Sequence, residues 1–166
     1  IELMLDSNAL TGSVPPELGN MTKLQRIWLT SNSLTGTIPS ELGNWAAIRD
    51  IQFGGNQLTG SIPASFGNLT TLTNLTLYTN QLTGSIPPEL GNMTSLSVLF
   101  LSNNQLSGTI PTALANLSNL TNLSLGNNNL TGSIPAELGG LTRLNTLDLR
   151  VNQLSGVIPA SIGNLT

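Results

Sequence analysis

The sequence predicts a β-rich, right-handed solenoid with a parallel sheet on its concave side, a short second sheet and tight turns on its convex side. An alternating apolar triplet recurs every 24 residues, and Gly and then Ile-Pro or Val-Pro follow it at fixed distances. A repeat period between about 20 and 50 residues indicates a coil of stacked repeats. The clearest marker of the period is an asparagine, at Asn8, Asn32, Asn56, Asn80, Asn104, Asn128 and Asn152.

Seven apolar triplets supply the strands of the predicted concave sheet. Side chains alternate along a strand, so the first and third residues of each triplet point into the core and the middle one points outward. Stacking of successive coils places these strands about 4.8 Å apart. The triplets are Leu3–Leu5, Ile27–Leu29, Ile51–Phe53, Leu75–Leu77, Leu99–Leu101, Leu123–Leu125 and Leu147–Leu149.

The recurring asparagine follows each triplet, where the chain turns. An amide side chain donates and accepts hydrogen bonds, so we expect it to point inward and to satisfy backbone groups of its own and the adjacent coil. The Leu and Ile after it alternate inward, which predicts a second short strand ended by proline. A tight convex turn follows, and one apolar residue of each turn is expected to fill the core: Leu18, Leu42, Phe66, Leu90, Leu114, Leu138 and Ile162.

Composition excludes several functions. With five Lys and Arg residues the chain has no basic stripe, so no nucleic-acid partner is expected. No apolar run approaches the roughly 20 residues of a membrane helix, so no membrane segment is expected in this chain. Histidine and cysteine are absent, which removes Ser-His and Cys-His catalytic pairs and the commonest metal ligand. We therefore expect no enzymatic activity, no catalytic or metal site and no cofactor.

The eight carboxylates are too sparse to suggest an acid–base pair. Four of them, Glu17, Glu41, Glu89 and Glu137, occupy one repeat position on the convex side. Repetition explains them better as solvated surface residues than as catalytic groups.

The pattern L-x-x-L-x-L-x-x-N-x-L is the leucine-rich-repeat signature. The motif L-x-G-x-I-P-x-x-L-G-N, as in residues 82–92, closely resembles the plant-specific class of these repeats. That class occurs in receptor-kinase ectodomains, polygalacturonase-inhibiting proteins and plant antifreeze proteins. The resemblance covers the entire chain and implies the α/β leucine-rich-repeat fold. It also implies a non-catalytic binding protein located outside the cell or at its surface.

The leading hypothesis is protein or peptide recognition on the concave face. Aromatic anchors surrounded by polar groups are favoured at protein interfaces. Two of the three outward aromatics, Trp28 and Phe100, lie three coils apart, roughly 14 Å at the strand spacing, so no single cluster is expected. The other tryptophan, Trp45, falls at a core position. The candidate partner-binding residues are Arg26, Trp28, Asp50, Gln52, Asn74, Thr76, Tyr78 and Phe100.

The alternative hypothesis is ice binding by the uncharged Thr/Ser-Gly-Ser/Thr ladder. With alternate strand residues about 6.7 Å apart and coils about 4.8 Å apart, the hydroxyls are expected to form two straight columns in a flat lattice that orders water. β-Solenoid antifreeze proteins use similar ladders, whereas most proteins with this repeat do not bind ice. The candidate residues are Thr11, Ser13, Thr35, Thr37, Thr59, Ser61, Thr83, Ser85, Ser107, Thr109, Thr131 and Ser133.

A third hypothesis is end-to-end self-association into a structural filament. Residues 1–166 are predicted to form one solenoid of about seven 24-residue repeats, and the lack of polar caps indicates a fragment of a longer array. Uncapped, near-identical repeats also suit a heterologous contact that does not close.

Nine Asn-x-Ser/Thr sequons would carry glycans in a eukaryotic secretory protein, if they are not merely a consequence of composition. They begin at Asn20, Asn68, Asn74, Asn92, Asn116, Asn119, Asn122, Asn129 and Asn164.

Overall fold

A computed structural model describes residues 1–165, so residue 166 of the predicted solenoid lies outside the described residues. Each coil contains a three-residue strand, a second strand of two to four residues and one 3₁₀ turn, in that order. The leucine-rich-repeat architecture predicted from the sequence is confirmed. The residues that position the candidate surfaces are the two strands and the asparagine between them.

The first strands form one parallel seven-stranded sheet, whose outward side we call the concave face. Each strand begins one residue before the predicted apolar triplet. Neighbouring strands pair residues that lie 24 positions apart, for example Leu3 with Ile27. Equivalent positions of successive coils are therefore directly opposite one another. The strands are β1 (Glu2–Met4), β3 (Arg26–Trp28), β5 (Asp50–Gln52), β7 (Asn74–Thr76), β9 (Val98–Phe100), β11 (Asn122–Ser124) and β13 (Thr146–Asp148).

The second strands form three short parallel sheets of two, two and three strands, together called the second sheet here. Here the paired residues lie 22 positions apart, as Ser13 pairs with Thr35. Isolated bridges between Thr37 and Thr59 and between Ser85 and Ser107 continue the same register. The strands are β2 (Thr11–Ser13), β4 (Ser33–Thr35), β6 (Thr59–Gly60), β8 (Gln81–Leu82), β10 (Ser107–Thr109), β12 (Asn129–Gly132) and β14 (Gln153–Leu154).

The change of register occurs at the residue before each recurring asparagine. That residue has a left-handed backbone, with φ of 52° at Thr79 and 50° at Val151. Before the turn, backbone amides donate to the next coil, as Thr79 N does to Ser102 O; after it, they donate to the previous coil, as Gln81 N does to Leu58 O. Asn80 N still donates to the next coil, to Asn103 O, so the hydrogen bonds between coils reverse direction immediately after the asparagine.

The recurring asparagine joins the two sheets. Asn80 Nδ2 donates to the carbonyl oxygens of Phe53, Leu77 and Tyr78 at 3.0, 3.1 and 3.3 Å. Its Oδ1 accepts a 3.0 Å bond from Leu58 N, in the previous coil. The predicted asparagine ladder is present, because a backbone that changes register leaves amides and carbonyls that no strand pairs.

Seven 3₁₀ turns form the convex side, each following a proline. At Gly91 an added Cβ would lie 2.3 Å from the backbone oxygen of Ala113 in the next coil. The same close approach to the backbone of the next turn occurs at Gly19, Gly43, Gly67 and Gly139, whereas Ala115 takes this position in the fifth turn. Glycine therefore serves the contact between adjacent turns. The turns are Pro16–Asn20, Ser40–Asn44, Ala64–Asn68, Pro88–Asn92, Thr112–Asn116, Ala136–Gly140 and Ala160–Asn164.

The core is one continuous column of leucine, isoleucine and phenylalanine side chains between the sheets and the turns. Trp45 is 1% exposed, and its Nε1 donates a 2.7 Å bond to Leu18 O. Its predicted core position is confirmed.

Candidate functional site

The concave face presents three rows of outward side chains, because the 24-residue register aligns equivalent positions. The first row contains Asp50 and Asn74, the second contains Trp28 and Gln52, and the third contains Tyr78. Side chains on neighbouring strands in one row are about 4.8 Å apart at the backbone. Residues from different coils can therefore form one surface.

The Asp50 carboxylate is the centre of a hydrogen-bonded cluster. Trp28 Nε1 donates to Asp50 Oδ2 at 2.7 Å, and Asn74 Nδ2 donates to Oδ1 at 2.8 Å. Gln52 Nε2 lies between the two oxygens, 3.2 Å from Oδ1 and 3.1 Å from Oδ2. These bonds orient four side chains from three coils, and we call them the Asp50 cluster.

The Asn74 amide gives up a hydrogen bond to join this cluster. Its Oδ1 is buried and has no hydrogen-bond partner. A buried unpaired acceptor costs about 1–3 kcal/mol, and such groups in a native structure call for an explanation. The orientation that serves Asp50 is therefore held at the expense of local stability.

Tyr78 lies beside the cluster because Gly54 has no side chain. A Cβ added at Gly54 would be 2.6 Å from Tyr78 Cε1 and 2.7 Å from Cζ, so the aromatic ring covers the glycine. Gly54 is two residues after Gln52 on the same coil. The sequence analysis did not single out Gly54. Its position could have been noticed, because most coils have a residue with a side chain there.

The structure brings only part of the predicted concave site together. Trp28, Gln52 and Asn74 are each hydrogen-bonded to Asp50, an arrangement that was not predicted; the expectation of no single cluster concerned the aromatic residues Trp28 and Phe100. Arg26 instead pairs with Glu2, N–O 3.1 Å. Phe100 lies two strands beyond Gln52, with Thr76 between them.

The predicted exposure of Thr76 is wrong. Its side chain is buried, at 7% exposure. It lies in the sheet between Gln52 and Phe100, and these longer side chains shield it, because a short side chain between two long ones is covered on a flat sheet. Thr76 is a spacer at this site and not a contact residue.

The hydroxyl residues of the second sheet point outward as predicted, but the two straight columns do not occur. Because Ser13 pairs with Thr35, repeat-equivalent residues such as Thr35 and Thr59 are displaced by two residues along the strand. Combining about 6.7 Å along the strand with about 4.8 Å between strands separates them by roughly 8 Å. The hydroxyls therefore form a staircase in which each coil overlaps the next by one residue.

Several of these hydroxyls are also engaged within the protein. Thr35, Thr59 and Thr131 donate through Oγ1 to the glycine carbonyl of the previous coil, at 3.4, 3.3 and 3.4 Å. The neighbouring glycines have φ between 73° and 83°. At Gly60 an added Cβ would meet Thr37 Cγ2 at 2.8 Å. Glycine is thus required here by backbone conformation and by contact with the previous coil.

The remaining polar candidates lie apart from both surfaces. Glu17, Glu41, Glu89 and Glu137 are exposed in the first residues of the convex turns. Within residues 1–165 no group of three or more His, Cys, Asp or Glu side chains is placed to hold a metal ion. In the same residues no helix is long and apolar enough to cross a membrane.

The nine sequon asparagines fall into three groups, of which one is Asn119 and Asn129, both exposed and outside the convex turns. Asn74 and Asn122 are half-buried on the concave face, and Asn74 is held by Asp50. Five others are exposed in one line at the ends of the convex turns: Asn20, Asn68, Asn92, Asn116 and Asn164.

Two family models match the chain. One, described as "Leucine rich repeat", matches residues 94–154. The other, described as "Leucine Rich Repeat", matches residues 23–45, 47–69 and 71–93. Together they cover more than half of the chain, and neither is a catalytic family. No curated protein sequence matches the chain significantly.

Several similar solved structures are plant receptors. The plant peptide hormone receptor RGFR1 in complex with RGF2 has a TM-score of 0.98 and 42% identity, over 99% of this chain and 26% of that chain. The Arabidopsis receptor kinase HAESA, in complex with the peptide hormone IDA and the co-receptor SERK1, has a TM-score of 0.92 and 38% identity, over 100% and 31%. The chain thus spans less than a third of these receptor structures.

A plant ice-binding protein is also similar. Its TM-score is 0.79 and its identity is 27%, over 98% of this chain and 68% of that chain.

Proposed function

The chain belongs to the leucine-rich-repeat family, and from that premise we propose that it is an extracellular, non-catalytic binding module. Its concave face recognises a protein or a peptide in an extended conformation. The observation that carries the proposal is the Asp50 cluster, in which Trp28 is fixed beside a carboxylate and two amides. An aromatic residue held rigidly among polar groups is the arrangement favoured at binding hot spots.

The shape of the concave face suits an extended chain. Its rows run across the strands, so a peptide lying along a row crosses a new strand about every 4.8 Å. Trp28, Tyr78 and Phe100 lie on coils two, four and five and can contact successive side chains of such a peptide. The similar receptors described above bind peptide hormones, which supports this mode of recognition.

A groove elsewhere on the surface supports the proposal less. It lies between the second sheet and the convex turns, with Thr37, Ile38 and Pro39 among its lining residues. It is a wide open channel without an aromatic side chain. We favour the concave face because it alone combines aromatic anchors with fixed charged and amide groups.

An extracellular location is supported by the receptor ectodomains among similar structures and by the exposed sequons. Glycans attached to the line of asparagines at the convex turns would leave the concave face free. The proposed glycoprotein character is therefore compatible with the proposed binding surface.

A displayed random-peptide library, selected on the protein, tests the proposal. We expect Trp28→Ala, Tyr78→Ala or Phe100→Ala to weaken the selected peptides by about 1 kcal/mol or more, roughly fivefold. Unfolding midpoints should remain nearly unchanged. The matched controls are Ser61→Ala and Thr83→Ala on the second sheet. Peptides that bind all three concave variants as tightly as the original protein would move the site elsewhere.

Ice binding is the second candidate, and the similarity to a plant ice-binding protein favours it. The exposed, uncharged hydroxyl residues of the second sheet are the proposed surface. The staircase register makes this surface an oblique array, in which a hydroxyl residue of one coil pairs with a hydroxyl residue of the next, as Ser13 does with Thr35.

End-to-end assembly remains a prediction. Apolar side chains of the first and last coils are exposed, including Leu10 at 38% and Ile158 at 78%. Nothing in the structure shows what covers them.

A further inference from the structure

The Asp50 carboxylate lacks a positive partner. The described residues 1–165 contain two salt bridges, Arg26 with Glu2 and Arg150 with Asp148. Arg26 pairs with Asp50 in the sheet register, yet its side chain turns to Glu2 on the other side. All the donors to Asp50 are neutral groups. The cluster therefore carries one uncompensated negative charge on the concave face.

The donors to Asp50 differ in how firmly they hold it. The bonds from Trp28 and Asn74 are short, at 2.7 and 2.8 Å, whereas the Gln52 nitrogen lies between both oxygens at 3.1 and 3.2 Å. A guanidinium group uses two N–H groups to bind both oxygens of a carboxylate. The single Gln52 nitrogen is shared between the two carboxylate oxygens. A guanidinium at the same position would give each oxygen its own N–H donor.

Two aromatic side chains flank this position. Trp28 is tied to Asp50 by its indole N–H, and Tyr78 lies over Gly54, on the same coil as Asp50 and Gln52. A cation is attracted to the face of an aromatic ring. The surroundings of Asp50 therefore favour a planar cation over a neutral or acidic group.

We propose that the concave face takes a basic ligand, and that the Asp50 cluster is the subsite for an arginine side chain of a peptide or protein partner. The ligand guanidinium displaces the Gln52 amide and binds Asp50 while Trp28 and Asn74 hold the carboxylate in place. This inference rests on the proposed function and adds the chemistry of the partner to it.

The two tryptophans provide a direct test by nuclear magnetic resonance. The Trp28 indole N–H bonds to Asp50, and the Trp45 indole N–H bonds to Leu18 O in the core. We expect N-acetylarginine amide to shift the Trp28 indole signal in a saturable manner and to leave the Trp45 signal in place. N-acetylcitrulline amide, a neutral analogue of similar shape, should shift neither signal.

Variants of two carboxylates complete the experiment. Asp50→Asn should weaken the response to N-acetylarginine amide at least about tenfold, because a charge-assisted pair is lost. Asp148→Asn, which changes a concave carboxylate already paired with Arg150, should change it less than about twofold. An unmoved Trp28 signal, or an equal response to the citrulline compound, overturns the inference.

The peptide selection separates this inference from the proposed function. Selected peptides should contain arginine, and its replacement by citrulline should weaken them in the original protein but not in Asp50→Asn. Peptides that need Trp28 and contain no basic residue would refute the arginine subsite while leaving concave recognition in place. If the concave face is not the binding surface at all, the selected peptides will bind Trp28→Ala, Tyr78→Ala and Phe100→Ala as tightly as the original protein.

Discussion

The two sheets of this solenoid are built by the same repeats and yet present different surfaces. In the concave sheet, paired residues are 24 positions apart, so equivalent residues face each other. In the second sheet they are 22 positions apart, and equivalent residues are out of step by two. The same period therefore produces aligned rows on one face and a staircase on the other.

This difference determines what each face can do. On the concave face, side chains from three coils meet around Asp50, so a few substitutions among near-identical repeats give this part of the sheet its own arrangement of side chains. On the second sheet, threonine hydroxyls such as those of Thr35 and Thr59 are bonded to glycine carbonyls of the previous coil. These threonine hydroxyls therefore stabilise the packing of one coil on the next.

The largest expected effect comes from removing the side chain that joins the two sheets. Asn80→Leu should lower the free energy of unfolding by about 2–4 kcal/mol, because each buried backbone group left unpaired costs about 1–3 kcal/mol. Chemical denaturation followed by circular dichroism measures this change. The control is Asn8→Leu, where the exposed amide makes bonds only to the carbonyl oxygens of Leu5 and Asp6. Its effect should stay below about 1 kcal/mol, and equal losses at both positions would contradict the joining role.

A smaller effect of opposite sign is expected where the chain passes from one register to the other. Val151 is 68% exposed and has φ of 50°, a conformation that a β-branched residue adopts at a cost. Val151→Asn should raise the free energy of unfolding by about 1 kcal/mol, since asparagine tolerates the left-handed region. The reverse change, Asn103→Val, alters an exposed residue with φ of 56° and should destabilise by a similar amount. Two changes of the same sign would show that conformation does not control this position.

The smallest effect on stability is expected for Thr83→Tyr, which tests ice binding by the second sheet. Thr83 is exposed in the middle of the staircase, so the bulky side chain should leave the unfolding midpoint almost unchanged. If the second sheet binds ice, this variant loses ice shaping and recrystallization inhibition. The double variant Trp28→Ala with Phe100→Ala should retain both. Absence of both activities in the original protein eliminates the candidate.

The repeat period made most of the fold predictable. The asparagine ladder, the apolar triplets and the core position of Trp45 follow from pattern alone, since each coil must bury the same face against its neighbours. The burial of Thr76 did not follow, because it depends on the lengths of Gln52 and Phe100 on adjacent strands. The contact of Tyr78 with Gly54 likewise depends on which coils are neighbours.

The sequence by itself determined a leucine-rich-repeat coil, its apolar core and the outward direction of the candidate side chains. The tertiary structure decided which of those side chains meet. A 24-residue period defines what repeats but not the register of neighbouring strands, because a left-handed residue before each asparagine shifts the pairing by two positions between the sheets. The unshifted 24-residue register places Trp28, Gln52 and Asn74 around Asp50 on the concave face, and the 22-residue register of the second sheet turns the hydroxyl columns into a staircase.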